Sequence, residues 1–437
     1  MAFPKNILAV ILIIGIIVSC GQTNTSKTEL PTPSNSILAE PASLGFSLDS
    51  LKKIDDMILK YVDMGFIPGA SILVARHGKI AYETVGGWRD REEGIPMEKD
   101  DIFRLASMTK PIISAAVLQL YEQGKLNVND PISKYIPEFA NPTVLESVNE
   151  TDTTWSTKPA EREITIRHLL THTSGIAYGF ANPKMGMIYK KLSILDGANP
   201  LDMTIEQTMA RLGKAPLLFD PGTGFEYGLN TDVLGRVVEV ASGKALNLYI
   251  KENILDKLGM QDTWFFSKDT IEEKLATCYI PLADTAITKR NDELIKYPIR
   301  GAKKYFSGGS GLSGNARDYF TFCQAILNKG KLGDVRILRD STVKLMRTNQ
   351  IDTISFPWGP GKFGYGYHVQ TEDHENKDLG RKGKFRWGGI FHTTFWVDPD
   401  RDIIAILMSQ VQQNPNGNKI NTEFETLVNR ALVDERK

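Results

Sequence analysis

Apolar and polar positions divide the chain into zones of different period. Ile7 to Val18 is an unbroken apolar run of twelve residues behind Lys5. A spanning helix needs about 20 apolar residues, so this run reads as the core of a signal peptide. Ser47 to Met64 carries Leu48, Leu51, Ile54, Met57, Ile58 and Tyr61 at helical spacing, and Pro68-Gly69 ends it. Ala70 to Val85 then shows two β-rich runs around His77-Gly78, the pattern of a hairpin. Ile112 to Gln123 predicts a helix stopped by Gly124. From there to about residue 300, helical patterns and loops dominate, as at Thr165–His172, Ile205–Arg211 and Thr231–Ser242. Short β-runs return at Phe363–Thr371, Lys384–Trp387, His392–Asp398 and Ile403–Ser409, the last two joined through Pro399-Asp400. Phe424 to Val433 predicts a closing amphipathic helix.

This order predicts an α+β fold. Hairpins from both chain ends share one antiparallel sheet flanked by terminal helices, and the middle forms a mainly helical lobe beside it. The expected sheet region covers about 45–105 and 300–437, and the lobe about 106–299. A pocket is expected in the cleft between them. No internal repeat is visible.

Composition narrows the function. The 437 residues are 41% hydrophobic and 24% charged, as in a globular protein with a buried core. Lys plus Arg and Asp plus Glu both number 52, which argues against a broad electrostatic footprint for nucleic acid. The leader ends Ile17-Val18-Ser19-Cys20, which resembles a bacterial lipobox with lipid on Cys20. Residues 1–20 are then a lipoprotein signal peptide and 21–44 a flexible Ser/Thr/Asn/Pro-rich linker to a domain over 45–437. That reading places the chain in the bacterial cell envelope, held to a membrane by lipid. Cys278 and Cys323 lie in apolar surroundings and read as buried thiols, with a disulfide as the alternative. No CxxC, HExxH or paired-histidine spacing points to a metal, and no cofactor is implied. Gly359-x-Gly361-x-x-Gly364 matches a dinucleotide fingerprint only formally: it contains Pro360 and precedes a strand.

The candidate chemistry lies in Phe103 to Pro111, FRLASMTKP. Ser107 and Lys110 stand i, i+3, one above the other on one helix face. Pro111 suits a first helical turn, whose N–H groups lack partners. A serine hydroxyl needs a neighbour to take its proton. A lysine serves only when neutral, so its pKa of about 10.4 must fall by about three units.

Ser107-Met108-Thr109-Lys110 resembles the SxxK box of serine β-lactamases, DD-peptidases and related esterases. The chain is similar to the class C β-lactamase-like branch in six further segments, in order. These are the hairpin with Pro68-Gly69-Ala70, Ile164–Gly175, Phe219–Gly235, Ile254–Phe265, Gly308–Asp318, and Phe385–Gly389 with Phe395–Pro399. The resemblance implies that Tyr227 exchanges protons with Ser107 and Lys110, and that either Lys110 or Tyr227 is the base. It implies that Trp387-Gly388-Gly389 lines the cleft opposite Ser107. The backbone N–H groups of Ser107 and Ile390 would form the oxyanion hole. His172 and Ser174, in the HTSG turn, would be structural.

Two departures bear on substrate. Penicillin-handling members usually carry Asn two residues after the tyrosine; here Leu229 stands there, with Asn230 one further on, and both are candidate substrate contacts. The third box usually begins with Lys or His, and here Trp387 begins it. Arg386 would point to the other face of the strand. Both departures resemble family VIII carboxylesterases. The expectation is a serine hydrolase of short-chain carboxylic esters acting on a small-molecule ester or amide through an acyl-enzyme on Ser107. The alternatives are β-lactamase or D-amino-acid peptidase activity, and a non-catalytic envelope binding or sensor protein on the same scaffold.

Overall fold

The computed structural model describes residues 37–266, 272–283, 286–292, 295 and 297–433. The expected signal peptide, Cys20 and most of the linker lie outside these residues. Among the described residues, no helix is long and apolar enough to cross a membrane.

An eight-stranded antiparallel sheet organises the molecule. Its strands are β1 (Gly69–Arg76), β2 (Lys79–Asp90), β3 (Ile95–Pro96), β4 (Lys362–Phe363), β5 (His368–Val369), β6 (Phe385–Gly389), β7 (Thr393–Asp398) and β8 (Ile403–Met408). Their order is β4-β5-β6-β7-β8-β1-β2-β3, so the two chain ends meet where β8 pairs with β1. Ser71 faces Met408 and Arg76 faces Ile403 across that seam.

The two central strands read as continuous apolar runs because both of their faces are covered. Ile404, Ile406 and Met408 pack with Leu73 and Ala75 in one core. Ile403, Ala405 and Leu407 pack with Ile72 and Val74 in the other. Alternate side chains of a strand leave on opposite faces, so one sequence run serves two cores. The outer core is closed by α1 (Lys53–Asp63) and by the C-terminal helix Gly417–Ala431. The inner core faces the helical lobe. Its central helices are α2 (Thr109–Glu122) and α3 (Asn230–Ser242), with α4 (Ala316–Leu327) packed beside β8. The C-terminal helix is α5.

Four expectations change. The linker expected through residue 44 ends earlier: Leu38 bridges Ile80, and the Leu44 carbonyl accepts from buried Arg76 at 3.0 Å. The apolar anchors are Leu44 and Phe46, both buried. The strand expected over Phe363–Thr371 is interrupted, because its glycines sit against other backbone. A Cβ on Gly364 would lie 2.0 Å from the Met346 carbonyl, and Gly366 has φ +93°. The closing helix starts at Gly417 instead of Phe424. Two hairpins occur in the region read as helices and loops, Thr143–Asn149 with Thr154–Pro159 and Tyr279–Ala283 with Ala286–Lys289. The first is largely exposed, so no buried face marks it in the sequence. Cys278 and Cys323 are separate buried thiols.

One buried ion pair joins sheet and terminal helix. Lys384, just before β6, pairs with Glu425 of α5, and its ammonium also stands 3.9 Å from the centre of the Trp396 ring. Both residues are almost fully buried. Removing one partner strands the other charge. Glu425→Ala should therefore lower stability by about 3–5 kcal/mol in urea unfolding. Adding Lys384→Met should restore much of that loss; no recovery would show that packing, not charge, set the cost.

Candidate active site

Ser107 sits in a single 3-10 turn, Ala106–Met108, directly before α2. The turn is pinned from three sides. Leu105 donates its N–H to the Leu312 carbonyl at 2.9 Å, and the Leu105 carbonyl accepts from Thr393 Oγ1 at 3.2 Å. Tyr319 donates its hydroxyl to the Met108 carbonyl at 2.9 Å, and Thr109 Oγ1 accepts from the Leu312 N–H at 3.0 Å. These contacts over-determine Ala106, a non-glycine residue held at φ +46°. Backbone in that region costs about 1–3 kcal/mol and persists only where neighbours impose it.

Lys110 lies one turn further on and is 1% exposed. Its Nζ donates to Ser107 Oγ at 3.0 Å, to Tyr178 Oη at 3.1 Å and to the Gly309 carbonyl at 2.8 Å. Burial pulls its pKa down to about 7, while Asp232 pulls the other way. The expected condition for a neutral amine near neutral pH is thus met by desolvation.

Tyr227 approaches Lys110 by its ring face, whose centre stands 4.5 Å from Nζ. Its hydroxyl is buried and closes no hydrogen bond. Burial raises its pKa, and the side chains of Ser107 and Trp387, both close to the hydroxyl, partly offset this. The phenol is therefore a neutral group stacked on the amine. The phenolic oxygen that does touch Lys110 belongs to Tyr178, three residues after the HTSG turn. Nothing in the spacing of Tyr178 singled it out.

The other wall is β6 and the turn behind it. Gly389 passes so close to the nucleophile turn that a Cβ would stand 2.4 Å from the Leu105 carbonyl. Only glycine allows that approach. Trp387, Gly388, Gly389 and Ile390 border the same cavity as Ser107, and the Ile390 carbonyl is held by the Gln413 N–H at 2.8 Å. Arg386 points to the opposite face, toward Glu425 at 3.8 Å. The cavity measures about 1180 Å³. Phe225, Trp358 and Phe180 add to its aromatic lining, and Trp358 and Phe180 remain more than half exposed at its border.

The substrate contacts expected at Leu229 and Asn230 are corrected. Both are 0% exposed and neither borders the cavity. Asn230 opens α3, and its amide is taken up internally: it donates to the Ile176 carbonyl at 3.3 Å and accepts from Ser174 Oγ at 2.5 Å. It also meets His172 Nδ1 at 3.0 Å. His172 is neutral, its pKa held well below the usual value by burial and by Lys110. Its ring packs 4.6 Å from that of Tyr227, so the HTSG turn supports the phenol from below. Asp232, in the first turn of α3, was likewise unmarked in the sequence; it is fully buried. Among the described residues, Glu98, Asp100 and Asp101 could hold a metal ion, but none of them borders the cavity.

Comparison with known proteins agrees with this architecture. Residues 54–430 match the family model described as Beta-lactamase. The chain is 32% identical over 366 residues to Protein Rv1367c of Mycobacterium tuberculosis, covering 81% of this chain and 88% of that one. It is 32% identical over 382 residues to Esterase EstB of Burkholderia gladioli, covering 83% and 92%. Among solved structures, EstCE1, a hydrolase with promiscuous acyltransferase activity, superposes with a TM-score of 0.75 at 30% identity, covering 88% of this chain and 98% of that one. With a matching fold, the Ser107 turn facing the cavity and a family match over most of its length, the chain belongs to the Beta-lactamase family and is a serine hydrolase.

Proposed function

We propose that this enzyme hydrolyses carboxylic esters through an acyl-enzyme on Ser107. The observation that carries the reading is the 3.0 Å contact between Ser107 Oγ and a buried Lys110 whose pKa lies at about 7. A neutral Lys110 takes the hydroxyl proton as Oγ attacks the ester carbon. The backbone N–H groups of Ser107 and Ile390 receive the oxyanion, each worth about 3–4 kcal/mol. Lys110 then returns the proton to the departing alkoxide, directly or through Tyr178, while Tyr227 holds the amine from its ring side. Water repeats the sequence on the acyl-enzyme and releases the acid.

Ester over β-lactam is favoured by the wall itself. Trp387 occupies the place of a cation that would pair with a substrate carboxylate, and Asn230 is occupied inside the protein. The names of the Burkholderia gladioli relative and of EstCE1 point the same way. The cavity of about 1180 Å³ exceeds what a short acyl chain fills, so the reading shifts from short-chain esters toward bulkier, apolar ones. Lipid attachment at Cys20, and an envelope location with it, belongs to the same proposal. Radiolabelled palmitate should enter the parent chain and not Cys20→Ser; equal labelling would remove the anchor.

Ser107→Ala should reduce hydrolysis of a chromogenic ester to background, and retained turnover would end the proposal. Nitrocefin assayed in parallel should be turned over far more slowly than the ester; the reverse would make the protein a β-lactamase. The neutral amine is the active form, so kcat/KM should rise with pH through a midpoint near the Lys110 pKa of about 7 and be lost below it. A flat profile between pH 5 and 8, in steps of about half a unit, would exclude Lys110 as base. Trp358→Ala should lower kcat/KM roughly tenfold for an aryl-substituted acyl ester and much less for an acetate. Equal losses for both would deny Trp358 a role in acyl selection.

A further inference from the structure

The mechanism above leaves one buried acid unused. Asp232 projects from the first turn of α3 and is 0% exposed. Its Oδ1 accepts from Ser307 Oγ at 2.6 Å and from Tyr305 Oη at 3.5 Å. Its Oδ2 closes no hydrogen bond and lies against Gly309. A Cβ on Gly309 would stand 2.3 Å from that oxygen and 3.0 Å from Tyr178 Oη. The carbonyl of the same glycine accepts from Lys110 Nζ at 2.8 Å. One glycine peptide is therefore interposed between a buried carboxylate and a buried amine, and the two stop short of direct ion pairing.

The turn that carries Gly309 is fixed by the same acid. Ser307 Oγ, besides donating to Asp232, accepts the Ser310 N–H at 3.1 Å. Ser310 Oγ accepts the Ala198 N–H at 3.0 Å, and both residues border the cavity. The groups around this centre are few. Lys110 faces it from α2. His172, Tyr178 and Asp196 face it from the segment between α2 and α3, Tyr227 from the approach to α3, and Tyr297 and Tyr305 from the chain before the glycine turn. His172 and the phenols are neutral, and burial raises the pKa of Asp196 to about 6.

We propose that Asp232 is a positioning residue: acting through the Gly309 turn, it holds the Lys110 amine against Ser107 and supplies the negative charge that sustains it as proton acceptor. This rests on the Ser107–Lys110 reading. A carboxylate near an amine favours the protonated form and opposes the desolvation that disfavours it. Removing the carboxylate makes the amine a weaker base that is neutral at lower pH. Burial raises the Asp232 pKa, and Ser307, Lys110 and the Gly309 backbone pull it back toward the ionised form, so loss of Ser307 acts in the same direction as loss of the carboxylate and more weakly.

The test is the pH dependence of Ser107 phosphonylation by a fluorophosphonate, with the adduct located by mass spectrometry. It uses the parent protein, Asp232→Asn and Ser307→Ala. Ser307→Ala removes one hydroxyl, so it keeps the test open should Asp232→Asn fail to fold. The expected result is labelling of the parent on Ser107, and in the variants a midpoint displaced to lower pH with a reduced plateau. The displacement should be roughly one unit for Asp232→Asn and less for Ser307→Ala. Folded variants that label with the parent's midpoint and only a scaled rate, or with a midpoint moved to higher pH, would overturn the proposal while leaving the nucleophile intact. A parent that never labels on Ser107 would remove both readings together.

Discussion

The site is organised around the removal of one amine from water. A buried ammonium with no partners is costly enough to neutralise or to unfold its surroundings. Lys110 meets three oxygens instead, from Ser107, Tyr178 and Gly309, and a phenol ring closes the remaining side. These partners come from four separate stretches of chain, and three of them are fixed by a further layer. His172 underlies the Tyr227 ring, Ser307 holds the glycine turn, and Thr393 ties β7 to the carbonyl before the nucleophile turn. Desolvation alone would leave the amine too weakly basic, and an adjacent carboxylate would leave it too strongly protonated. A glycine peptide between the two charges gives an intermediate field.

What could be read from the residues follows from the range of the interactions involved. Ser107 and Lys110 are three positions apart, so helical geometry alone brings them together. Trp387-Gly388-Gly389 came from the resemblance, and its paired glycines suit a strand that something approaches closely. The β-rich runs at the two chain ends also indicated one shared antiparallel sheet. Where spacing has no bearing, the reading failed. Tyr178 touches Lys110, and Asp232 comes near it behind Gly309, only through the packing of the lobe, and no local pattern separates them from ordinary buried residues. Leu229 and Asn230 were assigned by position in a motif. The start of α3 turns both side chains inward, and Asn230 becomes a brace for His172. Tyr227 is intermediate: its place beside Lys110 was legible, but not that its ring would face the amine.

Substrate selection and catalysis occupy different parts of this architecture. Ser107, Lys110 and the glycine strand are set by short backbone distances that tolerate little change, as the 2.4 Å clearance at Gly389 illustrates. The aromatic border at Phe180 and Trp358 is more than half exposed and carries no such constraint. Acyl preference can therefore vary through the border residues while the proton-transfer geometry stays fixed.

The seam between β1 and β8 has a consequence for biosynthesis. Ser71 and Met408 are neighbours in space but emerge from the ribosome separated by most of the polypeptide. At about 5–20 residues per second, an apolar strand waits many seconds for its partner. Until that partner arrives, β1 presents an unpaired hydrophobic edge, a surface that invites association with other nascent chains. A product shortened by its last few dozen residues would hold an intact SxxK sequence but lack β8, the strand that joins the two parts of its sheet.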